Sequence, residues 1–354
     1  MKPVPLVAAL RPYRVASRPG AIRLDLRHNE GPPPDPSLVE AWADADAVLR
    51  HYPDATGLEA AIAARHGIDP ARVVVTAGAD DALDRISRAY LGPGRGLVLH
   101  EPAFEMTIRY ALLTGAAVRG VAWPSGAFPV ERFVAAAAEA SVVVLTSPNN
   151  PTGEVIGRDA LRAVAAETPH ALLVVDAAYE EYAEDDLTAT AIAAGALVLR
   201  TFSKAWGLAG IRVGYAVGTP EVIDALRVVG APYPVSAPSL AVAARAYAAG
   251  DESVRPAVGR ARFLRRAIEA ALRDAGFAPA DSHANFAFVQ GDGVEALAGH
   301  LMAAGIAVRE FPGRPELVGA ARIGLPESDA DLAALCATIR SAPRVAAERK
   351  TPGP

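Results

Sequence analysis

Lys204 is the only lysine between Lys2 and Lys350, in a chain whose 35 Lys and Arg residues include 32 arginines. Arginine stays protonated and cannot condense with a carbonyl, whereas a partly buried lysine can lose its proton and attack one. Lys204 is therefore the first candidate for covalent chemistry. It sits in Thr201-Phe202-Ser203-Lys204-Ala205-Trp206-Gly207-Leu208-Ala209-Gly210-Ile211-Arg212, directly after the apolar run Leu197-Val198-Leu199. A surface lysine in a Gly-rich turn is the plain alternative.

Four further features fall at the ends of strand-like runs, where open α/β sheets place their ligand sites. Ser147-Pro148-Asn149-Asn150-Pro151-Thr152-Gly153 follows Val142-Thr146, and its prolines and glycine would hold the Asn150 amide in one orientation, or simply make a good turn. Asp176 ends the apolar run from Ala171 to Val175. A carboxylate there is costly unless it meets a cation or a proton donor. Ala77-Gly78-Ala79-Asp80-Asp81 opens a helix whose free N–H groups could hold a phosphate, unless the aspartates only cap it. Arg212, eight residues beyond Lys204, is a fixed cation suited to a phosphate dianion. The set calls for a carbonyl, a basic ring nitrogen and a phosphate in one molecule, and pyridoxal 5′-phosphate has all three.

These residues need an α/β frame. From about residue 58, helix-period stretches alternate with β-branched runs at Val73-Thr76, Leu97-Leu99, Val118-Val121, Val142-Thr146, Leu172-Asp176, Leu197-Thr201 and Val213-Val217. Most gaps hold a crossover helix, but that between Thr201 and Val213 hardly does, so one of those strands should run antiparallel in an otherwise parallel seven-stranded sheet. After Pro232-Tyr233-Pro234 the pattern changes to a long helix over about 251–275 and strands near Phe286-Val289, Ala307-Glu310 and Ala321-Leu325. The expected division is an N-terminal arm at 1–36, a large domain at 37–234, a smaller α+β domain at 235–346 and a tail at 347–354.

The chain has 354 residues, 51% of them hydrophobic, and a net charge of −5 with scattered arginines, so no basic footprint for nucleic acid exists. The single cysteine, Cys336, excludes an internal disulfide framework and reads as a core residue; a reducing cytoplasm fits. The apolar stretch near the N-terminus is too short and proline-broken for a signal segment, and no run is long enough for a membrane span. The seven histidines form no ligand-spaced pair, so no metal is expected. Gly92-Pro93-Gly94-Arg95-Gly96 resembles a phosphate loop but precedes a strand, which makes it a turn. The arginines between Arg255 and Arg273 read as a solvated helix face rather than an anion patch.

From Leu10-Arg11-Pro12-Tyr13 through Asn29-Glu30 and the Asn-Asn-Pro-Thr-Gly loop to Arg322, the chain resembles the fold-type I pyridoxal-phosphate enzymes of the class I/II aminotransferase group, with the histidinol-phosphate aminotransferases as the nearest branch. The segment Ser-Lys-Ala-Trp-Gly-Leu-Ala-Gly-Ile-Arg is its most specific element. The resemblance implies that Lys204 links covalently to the cofactor and later shuttles the proton at the substrate Cα. It implies that Asp176 keeps the ring nitrogen protonated, and that Tyr179 and Asn150 bond the ring oxygen. Ala79, Asp80, Thr201, Ser203 and Arg212 would surround the phosphate, and Phe104 would stack on the ring where the family commonly has tyrosine. Tyr52 would reach the phosphate of a neighbouring subunit in a homodimer, and Tyr13, Asn150, Arg309 and Arg322 would bind substrate.

Departures from the family pattern are Ala177, Ala79 and the Arg322-Ile323-Gly324-Leu325-Pro326 run; the last lies beside a substrate arginine and bears on substrate choice. The implied activity is amino transfer between histidinol phosphate and 2-oxoglutarate. A threonine-phosphate decarboxylase, an aromatic or broad aminotransferase and a non-catalytic pyridoxal-phosphate-binding regulator are the competing readings.

Overall fold

The computed structural model describes residues 3–8, 10, 22–43 and 49–343. Its larger sheet runs β2-β8-β7-β6-β5-β3-β4. The strands are β2 (Val73–Thr76), β3 (Gly96–Glu101), β4 (Ala117–Ala122), β5 (Val142–Thr146), β6 (Leu172–Asp176), β7 (Leu197–Thr201) and β8 (Gly214–Val217). All neighbours are parallel except β8, which is antiparallel to both β2 and β7. The short connection from Thr201 to Gly214 explains this, because it has no room for a crossover helix.

Central strands in such a sheet are buried on both faces and read as continuous apolar runs. Val142 to Thr146 is buried at every position. Alternate residues serve opposite cores. Val142 and Val144 meet Leu83 and Ile86 of the helix Ala79–Tyr90 on one face. Val143 and Leu145 meet Phe133 and Leu161 on the other.

A smaller sheet has the order β1-β10-β11-β9, with β1 (Leu24–Leu26), β9 (Phe286–Gln290), β10 (Ile306–Glu310) and β11 (Ala320–Gly324). Strand β1 comes from the segment read as an irregular arm. It pairs parallel with β10, and Leu26 is buried in the small core beside Ile306 and Val308. A three-residue strand is too short to show its alternation in sequence.

The helix Ala237–Ala249 follows the Pro-rich hinge yet shares a core with the large sheet, its Leu240, Ala243 and Tyr247 packing with Phe202, Trp206 and Tyr215. The helix Arg255–Asp274 instead packs Leu264, Ile268 and Leu272 into the small core. We therefore propose the boundary just before Arg255 rather than at Val235.

The arginines of that helix are not a uniformly solvated face. Arg265 is buried, donates to the Ala284 carbonyl at 2.9 Å and lies 3.3 Å from Glu269. Arg255, Arg260, Arg266 and Arg273 each pair with a carboxylate, and Arg262 donates to Tyr182 and Ala183 carbonyls. Gly92–Gly96 is a turn closed by a Gly92–Arg95 bridge. Among the described residues no helix is long and apolar enough to cross a membrane, and no group of three or more His, Cys, Asp or Glu side chains could hold a metal.

Candidate active site

The parallel register places Thr146 beside Asp176 and Asp176 beside Leu199, so β5 and β6 end together and β7 runs two residues further, to Thr201. A cavity of about 310 Å³ opens at these ends, between the two sheets, and Lys204 lines it. Asp176, Tyr179, Asn150, Phe104, Ala79, Asp80, Thr201, Ser203, Arg212, Arg309 and Arg322 line it too, drawn from eleven positions that span most of the chain. Tyr52 does not. It is 80% exposed and stacks on Tyr233 with ring centroids 4.5 Å apart. Tyr13 lies outside the described residues.

Lys204 Nζ donates to the main-chain and side-chain oxygens of Asn29, both at 3.2 Å. Burial pulls the amine down to about 7, helped by the nearby Arg322 cation. Around neutrality the amine is thus half in its nucleophilic, uncharged form.

Asp176 is buried at the end of β6 and accepts from the Ala178 amide at 3.2 Å. Among the described residues it makes no ion pair, and burial pushes it up to about 6. A buried carboxylate without a cation is short of one positive partner. Tyr179 is buried beside it, and desolvation raises its hydroxyl well above the usual phenol range, so it remains a proton donor.

The helix Ala79–Tyr90 starts at the cavity behind Gly78, with no side chain capping its first turn. Its free amides and dipole favour an anion there. Arg212 faces the same point: its guanidinium donates to Ser203 Oγ at 3.2 Å and lies 3.5 Å from Asp80. Thr201 Oγ1 donates to Ser203 Oγ at 3.0 Å. Arg212 is the one non-glycine among the described residues with a positive φ, +53°. That left-handed conformation costs roughly 1–2 kcal/mol and caps the short helix Ala209–Ile211, and it is the backbone from which the guanidinium reaches Ser203 and Asp80. The cradle, the unpaired Asp176 and the neutralised amine match the phosphate, ring nitrogen and aldehyde of pyridoxal 5′-phosphate. The residues present fit that group.

Two further cations line the cavity from the small sheet. Arg309 on β10 and Arg322 on β11 are directly paired in the antiparallel register. Arg322 donates to Asn150 Oδ1 at 2.8 Å and to the Arg27 carbonyl at 3.0 Å. Among the described residues Arg309 forms no ion pair, and its guanidinium lies 5.8 Å from the Phe311 ring centroid.

Arg27, His28 and Asn29 also line the cavity, as do Leu83, Thr146 and Ala178, none of which the sequence singled out as site residues. Asn29 is placed by a close packing that its sequence does not show. Gly31 stands two residues later, and a Cβ there would lie 1.7 Å from the Lys204 carbonyl oxygen. Only glycine permits that approach.

The family model described as "Aminotransferase class I and II" matches residues 25–339. The chain is 39% identical over 326 residues to a histidinol-phosphate aminotransferase of Thermobifida fusca (strain YX), covering 86% of this chain and 87% of that protein. It is 34% identical over 341 residues to an aromatic amino acid aminotransferase of the same organism, covering 90% and 91%. Among solved structures it is similar to histidinol-phosphate aminotransferase from Sinorhizobium meliloti in complex with pyridoxal-5′-phosphate, with a TM-score of 0.84, 28% identity, and 95% and 96% of the two chains covered. With the family model spanning nearly all of the described fold, the chain belongs to the class I and II aminotransferases.

Proposed function

We propose that this enzyme moves an amino group between histidinol phosphate and 2-oxoglutarate. The observation that carries the reading is the direct pairing of Arg309 with Arg322 over the cavity that holds Lys204. Two guanidinium groups suit a substrate with a phosphate monoester in one half-reaction and a dicarboxylate in the other. Histidinol-phosphate relatives at 36–40% identity support the same choice.

Pyridoxal 5′-phosphate is the cofactor, and when bound it supplies an aldehyde and an electron-withdrawing ring. In our reading Lys204 Nζ holds the cofactor and moves the proton at the substrate Cα. Asp176 keeps the ring nitrogen protonated, and Tyr179 and Asn150 donate to the ring oxygen. The first-turn amides at Ala79 and Asp80, with Thr201, Ser203 and Arg212, hold the phosphate, while Phe104 covers the ring and excludes water. Arg322, already oriented by Asn150 and the Arg27 carbonyl, receives the substrate carboxylate, and Arg309 with Tyr13 receives the phosphate end.

We further infer a homodimer. Tyr52 and Tyr233 form a stacked pair in which both rings are exposed, a surface a second copy would cover while Tyr52 reaches the partner's phosphate site. The single cysteine fits a reducing cytoplasm.

An aromatic amino acid aminotransferase among the relatives keeps one second reading, transfer from aromatic amino acids. The deciding assay offers the purified protein histidinol phosphate, O-phosphothreonine and aromatic amino acids with 2-oxoglutarate, following keto acid and CO₂ together. We expect the highest kcat/KM for histidinol phosphate, with no CO₂. A preference for aromatic amino acids would move the reading to the second one. Rapid CO₂ release from O-phosphothreonine, with no transfer from histidinol phosphate, would replace both with a decarboxylase.

A further inference from the structure

Asn29 touches both groups that handle protons in the cavity. Its side-chain and main-chain oxygens accept from Lys204 Nζ, and its amide nitrogen donates to the Tyr179 hydroxyl. The opposite amide orientation would set its NH₂ against the lysine donor, so the two contacts fix each other. A phenol whose oxygen already accepts from Asn29 keeps its own proton for a different acceptor.

The segment carrying Asn29 is held from both sides. Asn285, just before β9, donates from Nδ2 to the carbonyls of Asn29 at 3.0 Å and Glu30 at 2.9 Å. The Asn29 carbonyl thus serves Lys204 and Asn285 at once. On the other side, Gly31 lies against the Lys204 carbonyl, and Gly207 lies against the Pro32 carbonyl, 2.1 Å from where a Cβ would be. Residues 29–32 are thereby interlocked with the loop that follows Lys204.

We propose that Asn29 is a positioning residue for this reaction, holding the Lys204 amine and turning the Tyr179 hydroxyl so that its proton faces the cavity, with Asn285 fixing Asn29 from the small domain. The proposal rests on the reading that Lys204 carries the cofactor and Tyr179 donates to its ring oxygen. Donation to that oxygen stabilises the deprotonated form of the lysine-linked cofactor. Losing the orientation raises the pH at which that form appears.

The test is a spectrophotometric pH titration of the holoenzyme, reading the visible band of the lysine-linked cofactor. Asn29→Ala is expected to keep the band and to raise its midpoint by roughly half a unit to one unit, the scale of one hydrogen bond. Asn285→Ala is expected to move it in the same direction by less, and it carries the test if Asn29→Ala does not fold. In a Tyr179→Phe background, Asn29→Ala should add little, because the group it orients is gone. Unchanged midpoints in both asparagine variants would overturn the proposal, as would an equal Asn29→Ala shift with and without the Tyr179 hydroxyl. A titrating band that survives Lys204→Ala would instead overturn the lysine assignment beneath it, whatever the asparagine variants do.

Discussion

Arg322 Nη1 donates to Asn150 Oδ1 at 2.8 Å, joining β11 of the small sheet to the loop after β5 of the large one. This bond crosses the cavity and brings the Arg322 cation near Lys204, where it helps lower the amine's proton affinity. One side chain thereby ties the placement of the small sheet to the protonation of Lys204.

The Lys204 amine should behave as a base near neutrality. Its folded value, about 7, lies below the ordinary 10.5, so the neutral form dominates above pH 7. The rate at which the cofactor-free protein takes up pyridoxal 5′-phosphate should rise through about pH 7 and level off above it. Arg322→Gln removes a neighbouring cation and should move that midpoint upward. After borohydride reduction, peptide mapping should find the pyridoxyl label on Lys204; a label elsewhere contradicts the assignment.

Asp176 should cost stability and supply catalysis. Burial raises its folded value from 3.8 to about 6, so the folded state binds the proton more tightly than the unfolded chain. The penalty is absent below about pH 4 and complete above about pH 6, and two units correspond to ~3 kcal/mol. Asp176→Asn should therefore raise the Tm of the cofactor-free protein at pH 7.5 and leave it nearly unchanged at pH 4. If Asp176 faces the ring nitrogen, the same variant removes its counter-charge, and kcat should fall about a hundredfold or more. A wild-type kcat would mean that another group serves that nitrogen.

Arg309→Ala should separate the two half-reactions. If Arg309 takes the phosphate end, KM for histidinol phosphate should rise at least about tenfold while KM for glutamate changes little, since Arg322 would still hold the carboxylate. Equal losses with both substrates would make Arg309 a structural residue of β10.

Tyr52 should act across a subunit boundary. Mixing Lys204→Ala with Tyr52→Phe subunits should yield heterodimers carrying one wild-type-like site, so activity should exceed that of either variant alone. An active monomer in sedimentation would end the shared-site idea.

Much of this site was legible because its residues close short, rigid segments. Lys204, Asp176 and Asn150 each follow an apolar run whose length and β-branching mark a buried strand, and the observed bounds of β5, β6 and β7 coincide with those runs. That one of the strands flanking the Thr201–Val213 gap runs antiparallel was legible from loop length, since the gap hardly holds a crossover helix, and the structure assigns that direction to β8.

Tertiary structure decided the rest, because it depends on pairings between segments far apart in sequence. Leu24–Leu26 is too short to signal a strand, and becomes one only because the edge of β10 is there to pair with it. The helix Ala237–Ala249 follows the Pro-rich hinge in sequence, yet it packs on the aromatic cluster of Phe202, Trp206 and Tyr215 beside the large sheet. Asn29 is the clearest case. Its sequence neighbourhood is an ordinary proline-flanked loop, and its meaning comes from Lys204, 175 residues away, and Asn285, 256 residues away. Periodicity records which face of an element is apolar, and hydrogen bonds across such separations leave no periodic trace.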